Sequence, residues 1–369
     1  MISSKPTNPL PNPPLSALEA LLAAQRPILD VRAETEFEQG ALPNSANVPI
    51  LNDKERARVG TTYKQQGSEA AQKVGHRLVS GEVRHARVAA WSKFVKDNPG
   101  ALLICWRGGM RSQITEEWLR EMGVSIERVP GGYKSLRQTC SQVLEHRATT
   151  KDWFVLAGQT GTAKTVVINQ STNSIDLEGV ANHRGSAFGA RLNGQPSPAT
   201  FENQLAVNFL AHTHSSLLVE DESRTIGRLA LPETWHQQMQ TAPLILLEAD
   251  QEFRIEHIRE EYVVQPLQEG EPASHLARRY GDALDRIARR LGGVNHREIK
   301  LLLEEAFEDK RPHEDWIASL LARYYDPMYD FQLKKKEKRI IFRGDHASVY
   351  DFLSDRGHGA EPLTPHHDR

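Results

Sequence analysis

Residues 102–112, LLICWRGGMRS, set one of the chain's two cysteines between an aliphatic run and a loop of glycines and arginines. Ala101–Ile104 reads as a short buried strand. Gly108 and Gly109 let the loop backbone turn its N–H groups toward the sulfur, which makes a concavity suited to an anion. Arg107 and Arg111 add positive charge, and the stretch from Ser112 to Gly123 has a helical pattern whose N-terminus faces the loop, so the surroundings favour the thiolate. A cysteine that only fills a core needs none of these neighbours. Cys105, Arg107, Gly108, Gly109 and Arg111 are therefore the first candidate site.

Outward from this loop, a chain of 369 residues predicts two or three domains. With 39% apolar and 25% charged residues the composition is that of a soluble globular protein, and no stretch approaches a membrane span. The N-terminal MISSKPTNPLPNPPLSALEALLAA places prolines ahead of a short Leu/Ala helix, which is not the order of a secretory signal. Two cysteines far apart make no disulfide framework, so the expected compartment is the reducing cytoplasm. A formal net charge of −2 neither favours nor excludes nucleic acid, since local clustering decides that question.

Residues 1–14, rich in Pro, Asn and Ser, read as a tail. A first domain is expected over 15–145: RPILDVR is a strand ending in Asp30 and Arg32, 51–98 has a helical pattern, and the strand into Cys105, its helix and IERVPGGY complete an α/β unit. A second domain, 146–275, opens with WFVLAGQTGTAKTVVINQ, in which an apolar strand runs into a Gly-rich turn and then a helix. Gly158, Thr160, Gly161, Thr162, Ala163, Lys164 and Thr165 have the spacing of a P-loop, whose amides and lysine cradle a di- or triphosphate while the threonine hydroxyl reaches a metal such as Mg2+. Ala163 stands where such loops have glycine, which is expected to be tolerated if its φ stays negative.

SSLLVEDES and APLILLEAD add strands of a parallel sheet, whose C-terminal ends form the functional edge. Glu220, Asp221 and Glu222 at one such end are candidate cation-ligating acids, Asp221 first, against the alternative of a solvated acidic turn. DLEGVANHRGSAFG gathers Asp176, Glu178, His183 and Arg184, to which spacing alone assigns no roles. The remainder, 276–369, is a helical and locally basic region. HLARRYGDALDRIARRLGG predicts a helix stopped by Gly292-Gly293, with Asp282–Arg286 and Asp285–Arg289 at the spacing of surface ion pairs. Lys334, Lys335, Lys336, Lys338, Arg339 and Arg343, beside the tyrosines of RYYDPMYDFQ, suit a nucleic-acid backbone with exposed bases, or else form a solvated strand edge.

Taken together, DVRAETEFEQGALPNSANVPI (30–50), ERARVGTTYKQQGSEAAQKVG (55–75), CWRGGMRS, GQTGTAKT, DLEGVANHRGSAFG, VEDESRTIG (219–227) and YYDPMYD (324–330) resemble the bacterial tRNA 2-selenouridine synthases, from about residue 28 to about residue 330. The resemblance implies a rhodanese-like N-terminal domain whose cysteine carries a chalcogen as a persulfide or perselenide, followed by a P-loop NTPase-like domain with a parallel sheet. It implies an enzyme that replaces sulfur by selenium in 5-substituted 2-thiouridine at the wobble position of certain tRNAs. Selenophosphate and geranyl diphosphate are the implied co-substrates, an S-geranyl nucleoside the intermediate and a selenophosphate-producing enzyme the supplier. On the matching positions Cys105 is the catalytic residue, and Gly67, in YKQQG, is one on which the active site depends.

Other classes are open on the residues alone. CWRGGMRS also fits C-x-x-G-x-x-R-S, the cradle of cysteine phosphatases, although Ile104 stands where those enzymes usually have His. A plain sulfurtransferase uses the same loop. A non-enzymatic P-loop switch would leave Cys105 inert, which thiol alkylation at neutral pH distinguishes.

Overall fold

The four strands around Cys105 form a parallel sheet, in a computed structural model that describes residues 14–359; the expected tail therefore lies, but for its last residue, outside the described residues. Strands β1 (Ile28–Asp30), β2 (Ser45–Asn47), β3 (Leu102–Ile104) and β4 (Glu127–Arg128) lie in the order β2-β1-β3-β4. β1 and β3 are buried along their whole length, as continuous apolar runs in a parallel sheet should be. Leu29 and Leu103 pack in one cluster with Val59 and Leu78 of the helix Asp53–Leu78, Val79 of the turn after it, Val88 and Trp91 of the helix Gly81–Asp97, and Trp118 and Leu119 of the helix Met110–Glu121.

Among the described residues this first unit comprises 14–147 together with Pro196–Ala211. The return of that later segment departs from the sequence division, which left it with the P-loop. The helix Pro198–Ala211 is apolar nearly all round, so it must be buried, but its pattern does not say against what. Here the main-chain N–H of Ala41 donates to Thr200 Oγ1 at 2.9 Å, and Asn203 Nδ2 donates to the Ala41 carbonyl at 2.8 Å.

Among the described residues the second unit comprises Ala148–Gln195 and 212–359. Strands β5 (Asp152–Ala157), β6 (Ser174–Ile175), β7 (Ser216–Glu220), β10 (Leu244–Leu247) and β11 (Ile340–Gly344) form a parallel sheet in the order β11-β10-β5-β7-β6, while β8 (Thr225–Ile226) and β9 (Leu229–Ala230) make a hairpin. β5 sits at the centre, so the P-loop that follows it emerges in the middle of the sheet's C-terminal edge. The sequence division set 276–369 apart, yet its strand β11 completes this sheet and Val349, Tyr350 and Leu353 pack into the same core as Leu156 and Val167. A helical layer built on Leu276, Tyr280, Leu284, Ile299, Trp316 and Leu320 forms a further core in this unit. The helix Ala273–Leu291 does stop at Gly292, with φ +87°. Its expected ion pairs are replaced: Asp285 binds His296 and Lys300 of the next helix, and Arg286 donates to the Ala187 carbonyl.

Candidate functional site

Cys105 follows the last residue of β3, so the buried strand delivers the thiol to the C-terminal edge of its sheet. Backbone bonds hold the loop from below: Tyr133 N–H donates to the Cys105 carbonyl and Lys134 N–H to that of Trp106, each at 2.9 Å. Gly132 has φ +57°, and a Cβ there would stand 2.2 Å from the Cys105 carbonyl oxygen, so glycine is obligatory at this crossing. Gly109 begins the helix Met110–Glu121 without a side-chain cap, which leaves the first-turn amides directed at the loop. The thiol donates to Ser112 Oγ at 3.3 Å, and that hydroxyl donates to the Gly109 carbonyl at 3.0 Å. Gly108, φ +65°, packs against the Val129 carbonyl.

The two loop arginines differ. Arg107 is exposed and makes no side-chain hydrogen bond or ion pair among the described residues. Arg111 is engaged: its guanidinium meets both carboxylate oxygens of Glu36, at 2.5 and 3.1 Å. Glu36 is placed by Arg32, which is fully buried against Asp30 at 2.7 Å, donates to the Glu36 and Gly40 carbonyls and lies 3.7 Å from the Tyr133 ring centroid. Burial alone would raise the Glu36 carboxyl, but the bonds and charge of Arg111, the Ala33 N–H and Arg56 outweigh it and hold it below the usual range. Gly67 interrupts the helix Asp53–Leu78 with φ +83° and ψ −176°, a conformation that only glycine adopts readily, and nothing lies within 4 Å of where its Cβ would be.

The second thiol, Cys140, is fully buried in the helix Gly132–His146, and burial pushes it up to about 12. Competitive alkylation of the folded protein at mildly acidic pH should label Cys105 first; equal labelling of both would contradict this contrast.

In the second unit, Gly158 follows β5 and is pressed between Thr162 Oγ1 and the Leu247 carbonyl, 2.6 and 2.8 Å from an added Cβ. Gly161 turns with φ +87°. Ala163 does not keep negative φ as expected: it has φ +56° and ψ +36°, the left-handed region, at a cost of roughly 1–2 kcal/mol for a non-glycine residue. The loop therefore has the glycine geometry without the glycine. Lys164 Nζ donates to the Gly158 and Gln159 carbonyls at 2.8 and 3.3 Å, lying back across the loop. Arg254 braces the other side, through the Thr160 carbonyl and Gln159 Oε1, each at 2.9 Å, and an ion pair to Asp326 of the YYDPMYD motif. His346 contacts the Thr162 carbonyl at 3.0 Å.

The acid beside Thr165 is not Asp221. That carboxylate is held instead by Lys336 Nζ, 2.7 Å from both oxygens. Glu220 is fully buried, accepts from the Leu177 N–H at 2.9 Å and is pushed well upward by burial and by Asp176 and Glu178. Thr165 Oγ1 instead donates to Glu178 Oε2 at 3.3 Å, and a Cβ on Gly185 (φ +60°) would stand 2.5 Å from an oxygen of Glu178 and of Glu222 alike. Burial raises both carboxyls; Glu178 further raises Glu222, while Lys164 lowers both. Spacing in the 176–189 motif alone gives Glu178 no role. Arg184 of the same motif pairs with Glu261 at 2.8 Å and lies 4.8 Å from the Tyr262 ring, a bracing role, and burial, then Arg191 and Arg184, lower His183.

The basic run divides likewise. Lys336 is tied to Asp221, and Arg339 donates to the Ala242 and Met239 carbonyls, so neither is free for a phosphate. Arg343, on edge strand β11, pairs with Glu337. Lys334, Lys335 and Lys338 are exposed, and Lys335 Nζ lies 4.1 Å from the ring centroid of exposed Phe331.

A cysteine-loop sheet and a P-loop sheet in one chain define a tandem rhodanese–P-loop protein. Residues 15–139 match the family model described as a rhodanese-like domain, and 151–359 the one described as the tRNA 2-selenouridine synthase AAA domain. A protein of Shewanella denitrificans named tRNA 2-selenouridine synthase is 44% identical over 360 residues, covering 93% of this chain and 98% of its own. One of the same name from Pseudomonas fluorescens is 45% identical over 348 residues, covering 90% and 95%. The chain belongs to the tRNA 2-selenouridine synthase family of enzymes. No helix among the described residues is long and apolar enough to cross a membrane.

Proposed function

We propose that the chain is a cytoplasmic tRNA-modifying transferase that replaces the sulfur of wobble 2-thiouridine by selenium from selenophosphate, through an S-geranyl intermediate made from geranyl diphosphate. The observation that carries this reading is that one chain holds both a thiol at an amide-lined loop and a P-loop. In the first step the thiocarbonyl sulfur attacks C1 of the geranyl group, the C–O bond breaks and diphosphate leaves. S-alkylation makes that sulfur a better leaving group, so the selenium of selenophosphate then forms the C–Se bond at C2 as geranyl thiolate departs, and water cleaves the P–Se bond to release phosphate.

The P-loop amides from Gly158 to Thr165 suit the diphosphate, toward which Lys164 would turn from its own loop carbonyls. Thr165 and Glu178 offer hard oxygen donors that fit Mg2+, which would neutralise charge on the leaving diphosphate. Among the described residues no group of three or more His, Cys, Asp or Glu is arranged to hold a metal. At the other loop Cys105 handles selenium, with the Gly109–Ser112 amides and Ser112 Oγ able to turn toward an anionic sulfur or selenium atom. The bidentate Glu36–Arg111 pair disfavours a phosphatase, which needs that arginine on the phosphate.

Mass spectrometry of nucleosides from 2-thiouridine tRNA incubated with the chain tests the reading. Geranyl diphosphate alone should give the S-geranyl nucleoside, and both donors together the selenonucleoside. Selenation at full rate without geranyl diphosphate would contradict it.

The tRNA phosphates are assigned in part to Lys334, Lys335 and Lys338. Replacing the three by alanine should weaken tRNA binding and flatten the log–log salt dependence by up to about two to three units. An unchanged slope would place the RNA elsewhere.

A further inference from the structure

The first unit contains a hollow that neither loop accounts for. It has a volume of about 260 Å³ and is walled largely by apolar side chains, Leu51, Val59, Ala71, Val79, Ile114 and Trp118 among them. Met110 and Arg111 of the cysteine loop's own helix line it as well. Cys105 belongs to the same packed cluster as Leu51, Val79 and Trp118 of the hollow's wall. The kink at Gly67 shapes the space: Val59 and Tyr63 come from the helical segment before it, and Ala71 and Gly75 from the segment after. An unbroken helix could not fold both segments around one cavity, which gives Gly67 a structural reason to be glycine.

A second hollow of about 310 Å³ adjoins the first, sharing Leu51, Val59, Tyr63 and Arg111, and adds Arg56 and Lys64. Three cations thus stand at this side against the single carboxylate of Glu36, which pairs with two of them. Tyr63, 61% exposed, stands where the hollows meet. The pair is apolar at one end and cationic at the other. That combination suits a ligand with a hydrocarbon chain on one side and phosphates on the other.

We propose that the apolar hollow seats the geranyl chain of the S-geranylated wobble nucleoside during selenium delivery, with Arg56 and Lys64 facing the adjoining anticodon phosphates. This rests on the S-geranyl intermediate proposed above. Size supports the occupant: an apolar cavity of about 150 Å³ holds six-carbon benzene, so about 260 Å³ takes a chain of about ten carbons. Position supports it too, because a chain seated here keeps the departing sulfur beside the loop that supplies selenium. Each buried methylene is worth roughly a fourfold change in binding. A chain only half seated should therefore favour the geranylated substrate by about a hundredfold or more.

The test compares kcat/KM for selenation, with selenophosphate, of tRNA carrying S-geranyl-2-thiouridine and tRNA carrying S-methyl-2-thiouridine. The unaltered chain should prefer the geranylated tRNA by about a hundredfold or more. Gly75→Leu should cut that ratio below about tenfold. A Cβ on Gly75 meets only Val59 Cγ2, at 3.8 Å, so the new side chain grows into the hollow without backbone strain. Ile114→Trp fills the same space from another helix and should do likewise. Equal efficiency on the two tRNAs, or an unaltered ratio in both variants, overturns the assignment of the hollow alone. Failure of the unaltered chain to selenate either S-alkylated tRNA overturns the intermediate, and this inference with it.

Discussion

Replacing Lys164 by alanine should abolish S-geranylation, leaving 2-thiouridine unchanged in tRNA incubated with geranyl diphosphate. Lys164 is the cation lying directly across the P-loop, and in the free loop it is satisfied by the Gly158 and Gln159 carbonyls. Turning toward a diphosphate exchanges those neutral partners for an anion whose charge grows as the C–O bond breaks, so the contact is stronger in the transition state than in the ground state. Losing one preorganised partner of that kind costs on the order of 10²-fold or more in rate. The loop itself should survive, because Arg254, His346 and the close-packed Gly158 and Gly161 hold its backbone independently of the lysine. Nucleoside mass spectrometry over a time course measures the loss; geranylation within about threefold of the unaltered rate would remove the P-loop from that step.

The Cys105→Ser variant should fail in the opposite way. Serine fits the same volume at the end of β3 and can bond to Ser112, so the fold and the P-loop unit remain intact. A serine hydroxyl, with an ordinary ionisation far above neutral pH, neither exchanges selenium nor offers a thiolate to the loop. With both donors present, S-geranylated tRNA should accumulate and the selenonucleoside should fall below about one hundredth of its normal yield. Normal selenation by this variant would mean that Cys105 does not handle the selenium.

Both loops were legible because each is a local object: a buried strand, glycines, a few named side chains and a helix within about a dozen residues. Their support was not, since it comes from far along the chain. Glu36 lies 75 residues from Arg111, Arg254 lies 94 from Thr160, and Lys336 lies 115 from Asp221. Asp221 had the right chemistry at the right strand end, yet a lysine read as part of an RNA patch neutralises it and Glu178 stands beside Thr165 instead. The sequence alone likewise could not reveal that Ala163 takes a left-handed conformation, because the loop's closure imposes it. Nor could it place the helix Pro198–Ala211, whose apolar surface declares burial without naming a partner. The hollow beside Cys105 depends on the break at Gly67, which reads in the sequence as one more residue of a helical stretch.

The two-step account stands on one measurement above others: selenation of tRNA already carrying S-geranyl-2-thiouridine by the Lys164→Ala variant, with selenophosphate as the sole donor. The account predicts a rate close to that of the unaltered chain, since the lost step has been bypassed and the Cys105 loop is untouched. Persistence of the S-geranyl nucleoside, with no selenonucleoside formed while the unaltered chain converts the same tRNA, would contradict the division of labour between Lys164 and Cys105.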